Sequence, residues 1–213
     1  MKCLKCCHDL GKRSRGGNCK KCGFEFAVRK GEYLTPGIGL LWDALSGFAA
    51  CDLGSSDRPV TIQKLRELLR SPATFMEPLE AAISASPDQV HALERRVAKQ
   101  IGDALMACDA HAVLHPFAYA SATLGLSPID LLRRNHERQL LAWRESAVVS
   151  GVKTLPCGSS CAACKSFGGS VFTIEQALTM TPLPCVGCTS IFGDERSVPF
   201  CRCCYIAVVD DDA

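Results

Sequence analysis

Cys3-Leu4-Lys5-Cys6 and Cys19-Lys20-Lys21-Cys22-Gly23 are two C-x2-C pairs with twelve residues between them. Their reading decides how the N-terminal end of the chain folds. A C-x2-C turn is tight enough to aim two thiolates at one ion, and two such turns complete a tetrahedral shell of four. The glycine after the second pair suits the left-handed backbone that ends such a turn. Phe24-Glu25-Phe26-Ala27-Val28 then alternates and predicts a strand leaving the turn. A segment this short cannot bury an adequate core, so metal binding has to supply part of its folding energy.

Residues 1–30 resemble a zinc ribbon on these grounds, with Cys3, Cys6, Cys19 and Cys22 as ligands; Cys7 and His8 crowd the first pair and are either bystanders or substitute ligands. The same segment carries nine Lys or Arg against two acids, a local charge of +7. Arg13, Arg15, Lys20 and Lys21 are the cations expected to meet a nucleic acid or an acidic partner. A solvated face that offsets the thiolates is the plainer reading of the same charge.

Outward from this segment the composition changes twice. Residues 31–156 hold only Cys51 and Cys108, whereas residues 157–213 hold eight of the 15 cysteines. The whole chain of 213 residues is 47% apolar and 22% charged, with a net charge of +2. That balance excludes a collagen-like or wholly disordered chain and gives no global reason for a nucleic-acid or membrane partner. The longest apolar runs, such as Ile38–Trp42, fall far below the roughly 20 residues of a membrane helix. The start, Met-Lys-Cys-Leu-Lys-Cys-Cys-His, has no signal-peptide pattern. A cytoplasmic protein with reduced thiols is expected, in which cysteine pairs read as metal ligands before disulfides.

The cysteine-poor middle reads as helical. Ser86-Pro87-Asp88-Gln89 is a helix start with a capping box, and Val90, Leu93, Val97, Ile101, Leu105 and Cys108 recur at three and four residues. The pattern predicts one helix from about Pro87 to His115. Ser127-Pro128-Ile129-Asp130 starts a second, carried by Leu131, Leu132, Leu140, Leu141, Trp143 and Val148 to about Ser150. Shorter helices are expected near 38–50, 61–70, 73–85 and 117–125, and no strand of useful length between 31 and 150. The expected fold is therefore mainly α: a helical body at 31–156 between a ribbon at 1–30 and a small β-rich zinc module at 157–213.

In that last module Cys161/Cys164 and Cys185/Cys188 again form C-x2-C pairs, twenty residues apart, and Cys201-Arg202-Cys203 adds a C-x-C. Any four of these six can build a thiolate site, and the spacing does not choose among them. Two ions sharing thiolates are a further arrangement. The charge of additional thiolates favours one site with spare thiols, hence about two zinc ions per chain.

The run Cys161-Ala-Ala-Cys164, Gly168-Gly169-Ser-Val-Phe172, Glu175-Gln-Ala177, Pro182-Leu-Pro184-Cys185-Val-Gly-Cys188 and Cys201-Arg202-Cys203 is similar to the Cys/His-rich tail of phage head-morphogenesis (minor capsid) proteins. It is also similar to bacterial zinc-ribbon proteins with the same tail. Cys185 stands where those tails commonly place His, and twelve residues separate Cys188 from Cys201, where the head proteins have none. The resemblance implies a zinc module and an assembly role, possible phage ancestry included.

No residues in the chain form a catalytic constellation of recognisable spacing. His111 and His115 share a helix face, but Ala112 replaces the Glu of the zinc-hydrolase motif. Packing or capping is the expected role of both, and Cys51 and Cys108 read as small apolar residues. The expectation is a non-enzymatic binding or assembly protein, with a protein partner or self-assembly through the helical body and no membrane. A zinc-dependent nuclease or hydrolase, or a subunit active only within a larger complex, is the alternative.

Overall fold

The computed structural model describes residues 2–11, 16–29, 32–50, 72–84, 86–107, 111–192 and 195–209. The chain forms two compact units, Met1–Val113 and Leu114–Ala213.

The first unit begins with an antiparallel sheet in the order β1 (Gly16–Asn18), β2 (Glu25–Arg29), β3 (Glu32–Leu34). Gly17 faces Phe26, and Val28 faces Tyr33. The strand expected at Phe24–Val28 is β2. Its alternation is incomplete: Ala27 is buried along with Phe26 and Val28. Helix α1 (Pro36–Ala50) covers the Ala27 side, and Gly39 permits the approach, since a Cβ there would lie 2.6 Å from the Ala27 Cβ. Two further helices follow, α2 (Pro72–Ser84) and α3 (Pro87–Met106). Helix α3 starts as its sequence predicts, with Gln89 Oε1 accepting the Ser86 N–H at 3.2 Å. It buries Val97, Ala98, Ile101 and Leu105, while α1 buries Ile38, Leu41 and Leu45 against it.

Helix α3 does not run on to His115. Its C-cap is Ala107, and a new helix α4 spans His111–Thr123. Cys108 lies three residues after Leu105, and Val113 and Leu114 lie four and three residues before Phe117, so apolar spacing alone gives little sign of the break. The helix expected at 61–70 lies outside the described residues.

In the second unit, α5 (Ile129–Arg144) ends six residues short of Ser150. The chain then enters β4 (Val149–Leu155), a strand the sequence pattern hides. Thr154 is buried with its hydroxyl donating to the Phe167 carbonyl, while Leu155 is 47% exposed. That order inverts the usual alternation. Strand β4 is central to an antiparallel sheet in the order β5 (Val171–Phe172), β4, β6 (Cys204–Val209). Two short helices, α6 (Ala162–Ser166) and α7 (Ile174–Met180), lie on either side of β5 in the chain. Phe117, Leu132, Val152, Ala177, Leu183 and Phe200 form the buried interior. Helices are the larger part of the fold, and the two sheets make it more mixed than a mainly helical chain. No described helix is long and apolar enough to cross a membrane.

Candidate metal centres

The N-terminal centre is built by two turns of the same design. Cys7 N–H donates to the Cys3 carbonyl at 2.9 Å, and Gly23 N–H donates to the Cys19 carbonyl at 2.8 Å. Cys3 N–H then closes back on His8, and Cys19 N–H on Phe24, both at 2.9 Å. These bonds fix the two cysteines of each turn on one side of the backbone. The four sulfurs of Cys3, Cys6, Cys19 and Cys22 all lie within 4.8 Å of one another. Cys3 and Cys22 are 3.7 Å apart at Sγ, and Cys6 and Cys19 3.6 Å. A tetrahedron of thiolates about 2.3 Å from a central ion has edges of about 3.8 Å. The residues present therefore fit a four-coordinate, thiophilic ion.

Packing holds the set in place. Cys3 and Cys19 sit in one cluster with Leu10, Phe24, Phe26, Val28 and Leu79. Phe24 and Phe26 stack with ring centroids 6.1 Å apart, and the Tyr33 hydroxyl donates to the Lys2 carbonyl at 2.6 Å. The aromatics beside the knuckles face inward and leave no stacking platform among the described residues. At Cys19, burial raises the pKa, but backbone N–H groups of Cys22 and Lys21 outweigh it and bring the thiol to about 6. Cys6 goes the other way, to about 12, because burial and the three facing thiols outweigh a backbone hydrogen bond from His8. Sulfurs this close can all be thiolates only around a cation.

Of the cations expected at a partner surface, Lys20 and Lys21 are exposed in the second turn; Lys5, which the sequence reading does not single out, is exposed in the first. Arg13 and Arg15 lie outside the described residues. Arg29 is committed to Asp43. Cys7 and His8 are exposed and stand outside the sulfur set.

The C-terminal cysteines converge differently. Cys161, Cys164 and Cys188 form one set of sulfurs within 4.8 Å of one another, and Cys164, Cys201 and Cys203 form a second. The Cys164 and Cys201 sulfurs are 3.8 Å apart. Cys161 caps α6, which carries Cys164 one turn further on, while Cys201 and Cys203 lead into β6. The sulfur of Cys185 joins neither set. Its backbone N–H donates to the Cys201 sulfur at 3.4 Å, and Thr189 N–H donates to the Cys161 sulfur at 3.5 Å. The backbone N–H groups of Thr189 and Cys164 lower Cys161 to about 6. Burial pushes Cys201 up to about 12 and Cys164 higher still. Sequence spacing gave no hint of these backbone donors, nor of the Ser160 hydroxyl 3.7 Å from the Cys203 sulfur. The side chain of Arg202, inside the C-x-C, donates to Ser159 and lies 3.7 Å over the Phe192 ring.

The 13 described cysteines are all free thiols. Cys51, Cys108 and Asp109 lie outside the described residues, as does the His111 side chain. His115 is exposed but packs edge-on against Phe200 at 5.3 Å, and partial desolvation lowers its pKa. No family model, curated protein or solved structure matches the chain.

Proposed function

We propose that this chain is a zinc-dependent, non-enzymatic binding or assembly protein. In this reading zinc holds both cysteine modules folded, and the N-terminal knuckles meet an anionic partner, a nucleic acid or an acidic protein. The observation that carries the reading is the N-terminal sulfur set, whose 3.6 and 3.7 Å edges match a closed tetrathiolate. A closed shell leaves no position for a reacting water, which is how structural zinc differs from catalytic zinc. All-thiolate ligation also selects soft or borderline ions over magnesium or calcium.

Lys5, Lys20 and Lys21 support the binding half of the reading, because they project from the two turns that the ion would fix. Similarity of the C-terminal run to phage head-protein tails supports an assembly role. The test is zinc content by native mass spectrometry, together with fluorescence anisotropy of a labelled 30-mer oligonucleotide. Zinc at both modules and oligonucleotide binding that weakens about tenfold or more between roughly 50 and 200 mM salt are expected. Lys20→Ala/Lys21→Ala is expected to lose most of that binding with zinc content unchanged. A folded, zinc-free chain overturns the reading. A zinc-loaded chain that ignores the oligonucleotide at low salt removes nucleic acid as its partner.

A further inference from the structure

We infer that the C-terminal module holds two metal ions joined through the Cys164 thiolate, as a vertex-shared pair of thiolate tetrahedra. This rests on the proposal that the module binds zinc at all, and goes beyond it in number, ligand set and bridging. The first support is the contrast between the two ends of the chain. At the N-terminus four sulfurs are mutually close, as one ion requires. At the C-terminus five are gathered in two triads with a single member in common. One tetrahedral ion has four corners and cannot hold all five of these sulfurs. Two tetrahedra sharing a corner have seven corners, one of them common. Cys161 and Cys188 fall on one side of Cys164, and Cys201 and Cys203 on the other. Two corners remain, open to Cys185 and to water.

Charge is the second support. Cys164, Cys188, Cys201 and Cys203 are each at most 9% exposed. One divalent ion with four thiolates and one spare neutral thiol leaves a net −2 in that interior, and two ions with all five thiolates leave −1. The smaller residue is the one a buried site tolerates. Thus counting the second cation reverses the expectation, drawn from thiolates alone, that charge favours a single ion. Each triad also has its own backbone donor, Thr189 N–H on Cys161 and Cys185 N–H on Cys201. Both donors reach corner sulfurs of separate ions. In consequence Cys164 ties the α6 turn to both the 185–188 loop and the start of β6.

The test is native mass spectrometry of the reduced full chain loaded with zinc. Three ions per chain are expected, falling to two in Cys3→Ser/Cys22→Ser and to one in Cys164→Ser. Because Cys164→Ser can unfold the module, the wild-type chain loaded with 113Cd gives a second reading. Two of its three cadmium resonances are expected to show scalar coupling to each other, which passes only through a shared sulfur. Two ions in the wild type, of which the N-terminal double variant loses one, overturn the bridged cluster and leave the zinc-scaffold proposal standing. Three ions without any cadmium–cadmium coupling overturn the bridge. No zinc at the C-terminus overturns both the cluster and the proposal beneath it.

Discussion

Cys7 and Gly23 hold the same backbone position in the two halves of the N-terminal centre. Each directly follows the second cysteine of its pair, and both are left-handed, with φ of +58° and +71°. Each donates its N–H to the carbonyl of the first cysteine. The two turns are thus copies, and only one carries the residue that this conformation favours. A left-handed non-glycine residue costs about 1–2 kcal/mol. Cys7→Gly is therefore expected to stabilise the metal-loaded chain by about 1 kcal/mol and to leave metal content unchanged. Gly23→Ala is expected to destabilise it by a similar amount, purely through the backbone, since a Cβ there meets nothing within 4 Å. Urea midpoints of the two variants, measured in saturating zinc, check the pair. A loss of metal from Cys7→Gly would make Cys7 a ligand.

Glu94 of α3 places a buried carboxylate at the start of α1, where Oε1 accepts the Gly37 N–H at 2.9 Å. The first N–H groups of a helix have no partner within it, and a carboxylate there also meets the favourable end of the helix dipole. Glu94→Ala leaves that N–H buried and is expected to cost about 2 kcal/mol, with Glu94→Gln costing less because the amide oxygen still accepts. Gly37→Ala is expected to destabilise as well, since its Cβ would lie 2.4 Å from the Glu94 carboxyl carbon. The two changes share one cause, so they are not additive: with Ala at 94 the collision is gone. Denaturant unfolding of the two single variants and the double variant closes the cycle. Full additivity would remove Glu94 as the group that caps α1.

His136 gives the second unit a built-in acid sensitivity. It is 4% exposed, packs edge-on to the Tyr205 ring at 5.3 Å, and neither ring nitrogen has a hydrogen-bond partner among the described residues. Burial, with the neighbouring His115 adding to it and Gln139 opposing it, holds the imidazole down to about 4. An unfolded histidine titrates near 6.5. As pH falls from 6.5 towards 4 the unfolded chain takes up a proton that the folded chain refuses, so stability is lost over that window. The loss is about 2 kcal/mol between pH 7 and 5. His136→Phe keeps the ring packing and is expected to remove that part of the pH dependence. Urea midpoints of both proteins at pH 7, 6 and 5 measure it, and parallel curves would refute a buried neutral His136.

What could be read in the sequence depended on whether the signal was local. The turns at Cys3–Cys6 and Cys19–Cys22 were legible because ligand spacing, the following glycine and the next strand lie within a few residues. The Ser86-Pro87-Asp88-Gln89 start of α3 was legible for the same reason. Strand β4 was not, because Thr154 is inside and Leu155 outside, a choice made by Phe167 and by the pairing with β6 far along the chain. The C-terminal sulfur sets were half legible. C-x2-C spacing found Cys161, Cys164 and Cys188, but the approach of Cys201 and Cys203 to Cys164 is set by β6 pairing with β4, not by spacing. Cys185, equal to Cys188 by spacing, contributes its backbone N–H to the site and keeps its sulfur outside both sets.

The division of cysteines into ligands and spares predicts a chemical footprint. Cys157 and Cys204 belong to neither sulfur set. Cys204 pairs with Leu155 at the end of the β4–β6 ladder, and Cys157 lies two residues beyond Leu155. Hydrogen bonds from Ser159, with the Arg202 charge nearby, hold the Cys157 thiol below its usual range, which raises its thiolate fraction near neutrality. Burial holds Cys204 above that range. Cys7 is exposed and outside the N-terminal set. Brief iodoacetamide treatment of the zinc-loaded chain is therefore expected to modify Cys7 and Cys157 first and Cys204 slowly. Cys3, Cys6, Cys19, Cys22, Cys161, Cys164, Cys188, Cys201 and Cys203 are expected to stay protected until a chelator removes the metal. Peptide mapping with and without chelator reads all of these positions in one experiment. Cys157→Ala/Cys204→Ala is expected to keep the full zinc load, whereas Cys188→Ala loses part of it. If Cys157 is protected by zinc as strongly as Cys164, it is a ligand, and the two-triad ligand set is wrong.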